Sequence, residues 1–156
     1  MNGDPEIIEF LNEALTAELT AINQYFIHAK MNENWGYTRL AHKFYEESID
    51  EMKDAEKLID RILYLEGIPN LQDLGKILIG ENTKEMLECD LRIEHKAHGD
   101  LKAAIAYCES IGDYASRELL EEILCSEEDH IDWLETQLSL IEAVGLQNYL
   151  QSQMDE

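Results

Sequence analysis

The chain has 156 residues, 45% of them hydrophobic, so it is long enough to bury the core of a single domain over residues 1–156. Thirty-four acidic against 12 basic residues give a net charge of −22, which excludes nucleic acid as the principal partner. No stretch has the character of a signal peptide or a membrane span. Three cysteines without a Cys-x-x-Cys pair complete the pattern of a cytoplasmic protein with reduced thiols.

Two long helices are predicted in the first half of the chain. Asp4 before Pro5 is typical of a helix N-terminus, so we expect α1 over residues 5–34. We expect α2 over residues 38–66, because Gly67 is a stop signal. The short turn between α1 and α2 makes them antiparallel neighbours.

The second half begins after a connection over residues 67–82, whose apolar segment 76–79 is expected to pair locally in an extended form. Asn82, with Glu85 three residues later, predicts the start of a further helix. The remaining helices are expected over residues 83–111 (α3), 114–144 (α4) and, as a short fifth helix, 146–153 (α5).

This order of elements indicates an all-α fold. Short turns make α1 with α2, and α3 with α4, two antiparallel pairs. The long connection between α2 and α3 can run the length of a bundle, so that α3 starts at the opposite end. One such crossover is typical of a ferritin-like four-helix bundle, here with the short helix added at the C-terminus.

Each long helix carries an apolar stripe whose members are three or four residues apart, the spacing of a face packed inside a bundle. Each stripe also contains one acid. An isolated carboxylate in an apolar core would cost on the order of tens of kcal/mol, so it must be neutralised, paired or bound to a metal. The four acids are Glu18, Glu51, Glu94 and Glu127.

The positions of these acids form an internal repeat. Glu18 and Glu51 are 33 positions apart, as are Glu94 and Glu127. Two helical hairpins related by a pseudo-two-fold axis would therefore bring all four acids to one level of the bundle.

The acids also fit a known metal-binding pattern. Di-iron carboxylate bundles draw one glutamate from each of two helices and a Glu-x-x-His pair from each of the other two. Glu127 and His130 form such a pair, whereas α2 has Glu51-x-x-Asp54. We therefore predict a pair of iron ions; the alternative is a set of protonated or salt-bridged core acids.

The chain resembles the bacterioferritins over essentially its whole length, in the stretches LTAINQYF (19–26), ESIDEMK (47–53), EGIPNLQDLGK (66–76), EEDHIDWLE (127–135) and GLQNYLQSQ (145–153). The resemblance implies a cage of about 24 subunits that oxidises Fe(II) with O2 or peroxide and stores a ferric mineral. It also implies b-type haem at two-fold interfaces and a ferredoxin-like reductant for iron release.

The resemblance assigns the ferroxidase ligands residue by residue. Asp54 stands where the family has histidine, which predicts a weakened or altered centre, with the metal on the Glu18 side held less firmly. His98 is a candidate ligand that would compensate for the histidine missing at position 54. The alternative is that His98 is a core or solvent-linked histidine. The positions that match are Glu18, Glu51, Glu94, Glu127 and His130, with Glu51 and Glu127 bridging.

Met52 follows Glu51, so its side chain points roughly 100° away from the stripe, towards the outside of the bundle. By itself such a methionine is usually an interface filler. The resemblance instead makes Met52 an axial haem ligand shared by two subunits, with Trp35 nearby.

Other matching positions carry less specific implications. Asp50 matches an inner-surface iron position whose usual histidine companion is Glu46 here. Tyr25 and Trp133 flank the expected centre and are candidates for electron transfer, packing being the alternative. A channel between subunits is implied by Asn34, Glu66, Asp132 and Thr136.

Three alternatives stay open. The chain could be a storage or haem subunit, poor in ferroxidase activity, of a mixed shell that contains a second bacterioferritin subunit. A small DNA-protecting ferritin relative is disfavoured because all four ligand-bearing helices lie in one chain and there is no basic arm. A peroxidase-type di-iron protein with a rubredoxin-like module would need Cys-x-x-Cys pairs, which are missing.

Overall fold

The computed structural model describes residues 1–154, which form helices and connections without a strand. This confirms the predicted all-α bundle with one long crossover and a short last helix; residues 155 and 156 of the expected domain lie outside the described range. Within residues 1–154, no helix combines the length and the apolar content needed to cross a bilayer. The helices are α1 Pro5–Asn34, α2 Thr38–Tyr64, α3 Thr83–Ile111, α4 Tyr114–Val144 and α5 Leu146–Ser152.

The helix termini follow from local capping. The Asp4 carboxylate accepts hydrogen bonds from the backbone N–H of Glu6 (2.8 Å) and Ile7 (3.2 Å) at the start of α1. The Asn82 side chain accepts from the N–H of Glu85 at 2.9 Å at the start of α3. Each cap joins residues two or three positions apart, so the helix starts could be predicted from the local sequence.

The end of α2 differs from the expected residue 66, because the helix ends at Tyr64. Glu66, rather than the glycine after it, adopts the left-handed conformation with φ 64°. The N–H groups of Glu66 and Gly67 then donate to the carbonyls of Leu63 and Ile62, at 3.0 and 2.9 Å. This is a Schellman motif in which the glycine occupies the position after the left-handed residue.

The long helices bury two apolar clusters, one towards each end of the bundle. One cluster includes Leu15, Ala55, Leu101 and Ile123. The other includes Ala21, Phe44, Leu87 and Leu134. On every long helix the glutamate of the stripe lies between these two clusters. The bundle therefore holds a polar layer that is closed above and below by apolar side chains.

The crossover is attached to α1 by side chains, so the expected local pairing of segment 76–79 is wrong. Backbone N–H groups of the crossover reach Thr20, Gln24 and His28, which follow one another at intervals of four residues along one face of α1. The separations are 2.8 Å from Gly75 N to Thr20 Oγ1, 2.8 Å from Leu78 N to Gln24 Oε1 and 3.1 Å from Gly80 N to His28 Nε2.

His28 also links these hydrogen bonds of the crossover to the core, through its contact with Asp90 of α3. His28 Nδ1 lies 2.9 Å from Asp90 Oδ1, and the Gln24 amide donates to the same oxygen at 2.8 Å; both members of the His–Asp pair are fully buried. Because Gly80 N–H donates to His28 Nε2, the ring proton belongs on Nδ1, from which it is donated to Asp90. Burial raises the pKa of Asp90, while the bonds from His28 and Gln24 lower it.

We expect the substitution Asp90→Ala to lower the free energy of unfolding by about 3–5 kcal/mol, since it leaves His28 and Gln24 buried without their acceptor. Chemical denaturation of the metal-free protein measures this. Glu88→Ala, which removes an exposed acid two residues away, is the matched control and should change stability little. Equal stability of both variants would contradict a structural role for this pair.

Candidate metal centre

The four stripe glutamates, Asp54 and His130 meet in the polar layer between the two apolar clusters. Each long helix contributes one glutamate, and α2 and α4 each add a second side chain three residues later, on the same face. Each residue offers a ligand atom within 4.8 Å of the others in its group, and Glu51 belongs to both groups. One group is Glu51, Glu94, Glu127 and His130; the other is Glu18, Glu51 and Asp54.

These side chains are withdrawn from solvent. The exposed fraction is 0% for Glu51, 1% for Glu94 and 2% for Glu18 and Glu127, while Asp54 at 9% is the most exposed of the set. Unpaired buried carboxylates on this scale are strongly unfavourable in a metal-free protein. A cation that enters the layer would remove the penalty.

Most of the ligand atoms lack a hydrogen-bond partner. Glu51 Oε1 lies 2.9 Å from His130 Nδ1, an ion-pair distance, but neither atom has a hydrogen-bond partner. Carboxylate oxygens with one imidazole nitrogen are donors that suit iron. The residues thus fit a bound metal. The unpartnered atoms are Glu18 Oε2, both oxygens of Glu51, Asp54 Oδ2, Glu94 Oε2, Glu127 Oε2 and His130 Nδ1.

The shifted pKa values of the side chains in the polar layer show that the layer favours positive charge. Burial raises the pKa of Glu51 to about 8, with the nearby charge of Glu94 adding to the effect. Burial also raises the pKa of Asp54, to about 6. Burial alone would lower the pKa of His130, but its contacts with carboxylates, including Glu51 and Glu94, raise it to about 12. In the metal-free protein the imidazolium and retained protons are the counter-charges that a metal would replace.

Glu47 is a site residue that the sequence reasoning missed. It is buried, and its Oε2 forms an ion pair with His130 Nε2 at 2.5 Å. Its other oxygen lies 2.9 Å from Lys43 Nζ. A carboxylate behind the second nitrogen of a metal-binding histidine is a common way to orient the ring. The available signal was its position one helical turn before Glu51.

His98 does not compensate for Asp54. Its Nε2 lies 2.8 Å from Glu128 Oε2 at the partly exposed surface of α3 and α4, and it belongs to none of the ligand groups found in residues 1–154. The interpretation as a ligand is wrong, and the solvent-linked alternative agrees with this contact. Glu46 is likewise exposed and lies 3.1 Å from His42, whereas Asp50 groups with Glu47 and His130.

Of the two aromatic residues predicted to flank the centre, Tyr25 contacts its side chains directly. The fully buried Tyr25 donates its hydroxyl proton to Glu94 Oε1 at 3.0 Å, and its ring lies edge-on to the His130 imidazole at 6.3 Å. Burial and the charge of Glu94 raise the pKa of Tyr25 well above its usual value, so it stays protonated. Trp133 packs edge-on against Phe44 at 6.1 Å, with the Lys43 ammonium 5.3 Å from its ring centre.

The remaining predicted residues lie on the surface of the subunit. Met52 is 46% exposed and Trp35 is 38% exposed. On α2, Met52 follows the exposed Tyr45 and Ile49 at helical spacing, and the Tyr45 ring lies 6.4 Å from that of Phe26 on α1. Trp35 directly follows the last residue of α1, and its ring lies 6.4 Å from that of Tyr37. The positions assigned to a channel between subunits, Asn34, Glu66, Asp132 and Thr136, are all exposed.

A groove between α1, α3 and the crossover connects the surface with the centre. It has a volume of about 860 Å³, and Glu94 and Glu127 form part of its lining. Glu13, Asp73 and Asp100 lie along it as well. Lys76, Arg92 and Lys96 line it too, but acidic side chains outnumber them, so the groove favours the approach of small cations to the buried carboxylates.

Comparison with known proteins places these features in a family. A sequence model described as "Ferritin-like domain" matches residues 8–144. "Bacterioferritin" of Brucella melitensis biotype 1 is 50% identical over 149 residues, which cover 96% of this chain and 92% of that protein. "Bacterioferritin" of Mycobacterium leprae is 50% identical over 149 residues, covering 96% and 94%. "Bacterioferritin" of Rhodobacter capsulatus is 50% identical with coverage of 96% and 92%.

Proposed function

Because the chain belongs to the bacterioferritins, a family of ferritin-like iron-storage proteins, we propose that it oxidises Fe(II) in the polar layer of the bundle and stores the ferric product. The observation that carries the proposal is the set of buried carboxylate oxygens without hydrogen-bond partners. The proposal places these subunits in a cytoplasmic 24-subunit cage, where the mineral collects.

The residues present suit two substrate iron ions. Glu51 belongs to both ligand groups, which supports its role as a bridge, and Glu127 faces it from α4 in the group that contains His130. Two Fe(II) ions each lose one electron, and O2 takes up these two electrons with two protons to give H2O2. When peroxide is the oxidant, it takes up two electrons and two protons to give two molecules of water.

The surrounding protein controls access and orientation. The acidic groove between α1, α3 and the crossover supports a route for Fe(II) to the ligands. Tyr25 holds Glu94 by donating to its Oε1, and Glu47 sits behind His130. Tyr25, which contacts Glu94 and His130, is proposed as an electron donor to the oxidant, and Trp133, three residues after His130 on α4, as a second one, in addition to their packing.

Asp54 departs from the family pattern, which has histidine at this position. With Asp54 in the ligand set, five carboxylates surround two divalent ions, which carry four positive charges. The fifth carboxylate is Asp54, at the position where the family has a neutral imidazole. The shorter aspartate also reaches less far into the layer. We therefore propose that the iron on the Glu18 side is held less firmly and that oxidation is slower than in relatives with histidine.

The proposal is tested by mixing Fe(II) with the metal-free homopolymer and following the absorbance of ferric product by stopped flow. A fast phase that saturates at two Fe(II) per subunit supports it. Oxidation no faster than in buffer, with iron still deposited when a second subunit type is present, supports the alternative of a storage or haem subunit of a mixed shell. Asp54 is the observation that favours this second candidate.

Haem binding is the second part of the proposal. A b-type haem at the two-fold interface would be held by the Met52 thioethers of two subunits, and a ferredoxin-like protein is the proposed reductant for iron release. The exposed thioether in an apolar neighbourhood fits such a group. When bound, haem supplies reversible one-electron transfer, and the thioether ligands favour its ferrous state.

We expect Met52→Leu to abolish haem binding, since the aliphatic side chain keeps the apolar contact but offers no ligand atom. The haem absorbance of the purified cage, expressed as haem per subunit, measures this. Met31→Leu removes a thioether elsewhere and is the control. Retention of haem with an unchanged spectrum in Met52→Leu would contradict the assignment.

A further inference from the structure

We infer that the two halves of the metal centre differ in chemical preference, and that the half formed by Glu18, Glu51 and Asp54 is a hard-cation subsite that accepts Mn(II). This half is called the oxygen subsite; Glu51, Glu94, Glu127 and His130 form the imidazole subsite. The inference rests on the proposed function, because it specifies the metal class of the same centre.

The donor atoms differ between the halves. Every ligand atom of the oxygen subsite is a carboxylate oxygen, whereas the imidazole subsite adds one ring nitrogen. Asp54 Oδ2 and Glu18 Oε2 are both withdrawn from solvent and have no hydrogen-bond partner, so both oxygens are free to bind a cation. The two halves share only Glu51, so their preferences can differ.

The chemistry of these donors predicts the preference. Affinity for divalent metals at mixed nitrogen and oxygen sites is lowest for Mn(II), rises to Cu(II) and falls again at Zn(II), while carboxylates and water suit Mn(II) well. An all-oxygen set lowers the advantage that Zn(II) gains from imidazole. The short Asp54 side chain, 9% exposed, also leaves room for a water ligand, which hard cations retain readily.

Charge acts in the same direction. The oxygen subsite contains three carboxylates, and Asp50 and Glu122 lie near enough to Asp54 to add to the negative potential there. Lys57 and His130 are the basic side chains that oppose them. Such a site binds cations mainly by electrostatic attraction to hard oxygen donors. It therefore discriminates between Zn(II) and Mn(II) less than the imidazole subsite does.

Sequential metal titration of the metal-free cage tests the inference. One equivalent of Zn(II) per subunit first fills the imidazole subsite; a second metal, either Mn(II) or Zn(II), is then titrated. Loss of the electron paramagnetic resonance signal of free Mn(II), and calorimetry for Zn(II), give the two dissociation constants. Their ratio measures the preference of the oxygen subsite without any readout of oxidation.

The substitution Asp54→His should shift this ratio towards Zn(II) on the order of tenfold, because it introduces the nitrogen donor. Asp60→His, which places a histidine at an exposed position of the same helix, should leave the ratio unchanged. Glu18→Ala should abolish the Mn(II) site and keep the first Zn(II) equivalent.

Two results would overturn the inference while leaving the proposed function intact: an unchanged ratio in Asp54→His, or Mn(II) binding that persists at full affinity in Glu18→Ala. Failure of the wild-type protein to bind even the first Zn(II) would instead remove the metal centre itself. The two failures are therefore distinguishable.

Discussion

Replacing Glu51 with glutamine should slow rapid Fe(II) oxidation by at least about 100-fold, because the variant loses the carboxylate shared by both halves of the centre. The same substitution should make the metal-free protein more stable. A neutral amide of the same shape removes a buried charge next to Glu94. Opposite effects on activity and stability are the signature of a buried acid kept for a metal.

The stability gain should depend on pH. The pKa of Glu51 in the folded state is about 8, above that of an exposed glutamate. The folded protein therefore binds more protons than the unfolded chain between roughly pH 4 and 8, and the stability of the metal-free wild type falls as pH rises through this range. At pH 5 the wild-type side chain is already neutral, so the difference from Glu51→Gln should be small there and larger at pH 8.

Thermal unfolding of both proteins in a chelator, at pH 5 and at pH 8, measures this effect. Glu56→Gln, an exposed substitution on the same helix, is the control for general charge reduction. Lower stability of Glu51→Gln at both pH values, with full retention of the fast oxidation phase, would show that Glu51 is a structural salt-bridge partner of His130 and not a metal ligand.

Replacing Asp54 with histidine should raise the initial rate of Fe(II) oxidation on the order of tenfold. The substitution supplies the imidazole that the Glu-x-x-His pattern requires on α2 and removes one negative charge from the layer. The second iron should then bind more tightly, so the fast phase should also reach two Fe(II) per subunit at lower iron concentration. Stopped-flow oxidation across a range of iron concentrations measures both quantities.

Asp60→His controls for a histidine added elsewhere on α2. If the wild type already oxidises two Fe(II) per subunit at a rate that Asp54→His does not change, aspartate supports a complete centre and the weakened site is refuted. A slower Asp54→His variant would indicate that the surroundings of this position are adapted to a short acidic side chain. The experiment therefore also decides between the ferroxidase and the storage or haem subunit.

The helix positions and the layer of buried acids could be predicted from the sequence because they depend on local or periodic features. Caps such as Asp4 and Asn82 act within one turn of their own helix. The stripe acids are recognisable because a carboxylate at an otherwise apolar position of a 3.6-residue period must face the interior. The equal spacing of Glu18 to Glu51 and Glu94 to Glu127 then places them at one level.

Features that depend on contacts between distant residues were not predictable in this way. The crossover is held by Thr20, Gln24 and His28, at positions that local sequence does not mark as partners of segment 75–80. Glu47 lies beside the stripe of α2, and its role depends on His130, which α4 brings to it. Sequence periodicity determines which face of a helix is buried, whereas the partner of each buried polar atom is decided only when four helices pack and every such atom must find a hydrogen bond, a counter-charge or a metal.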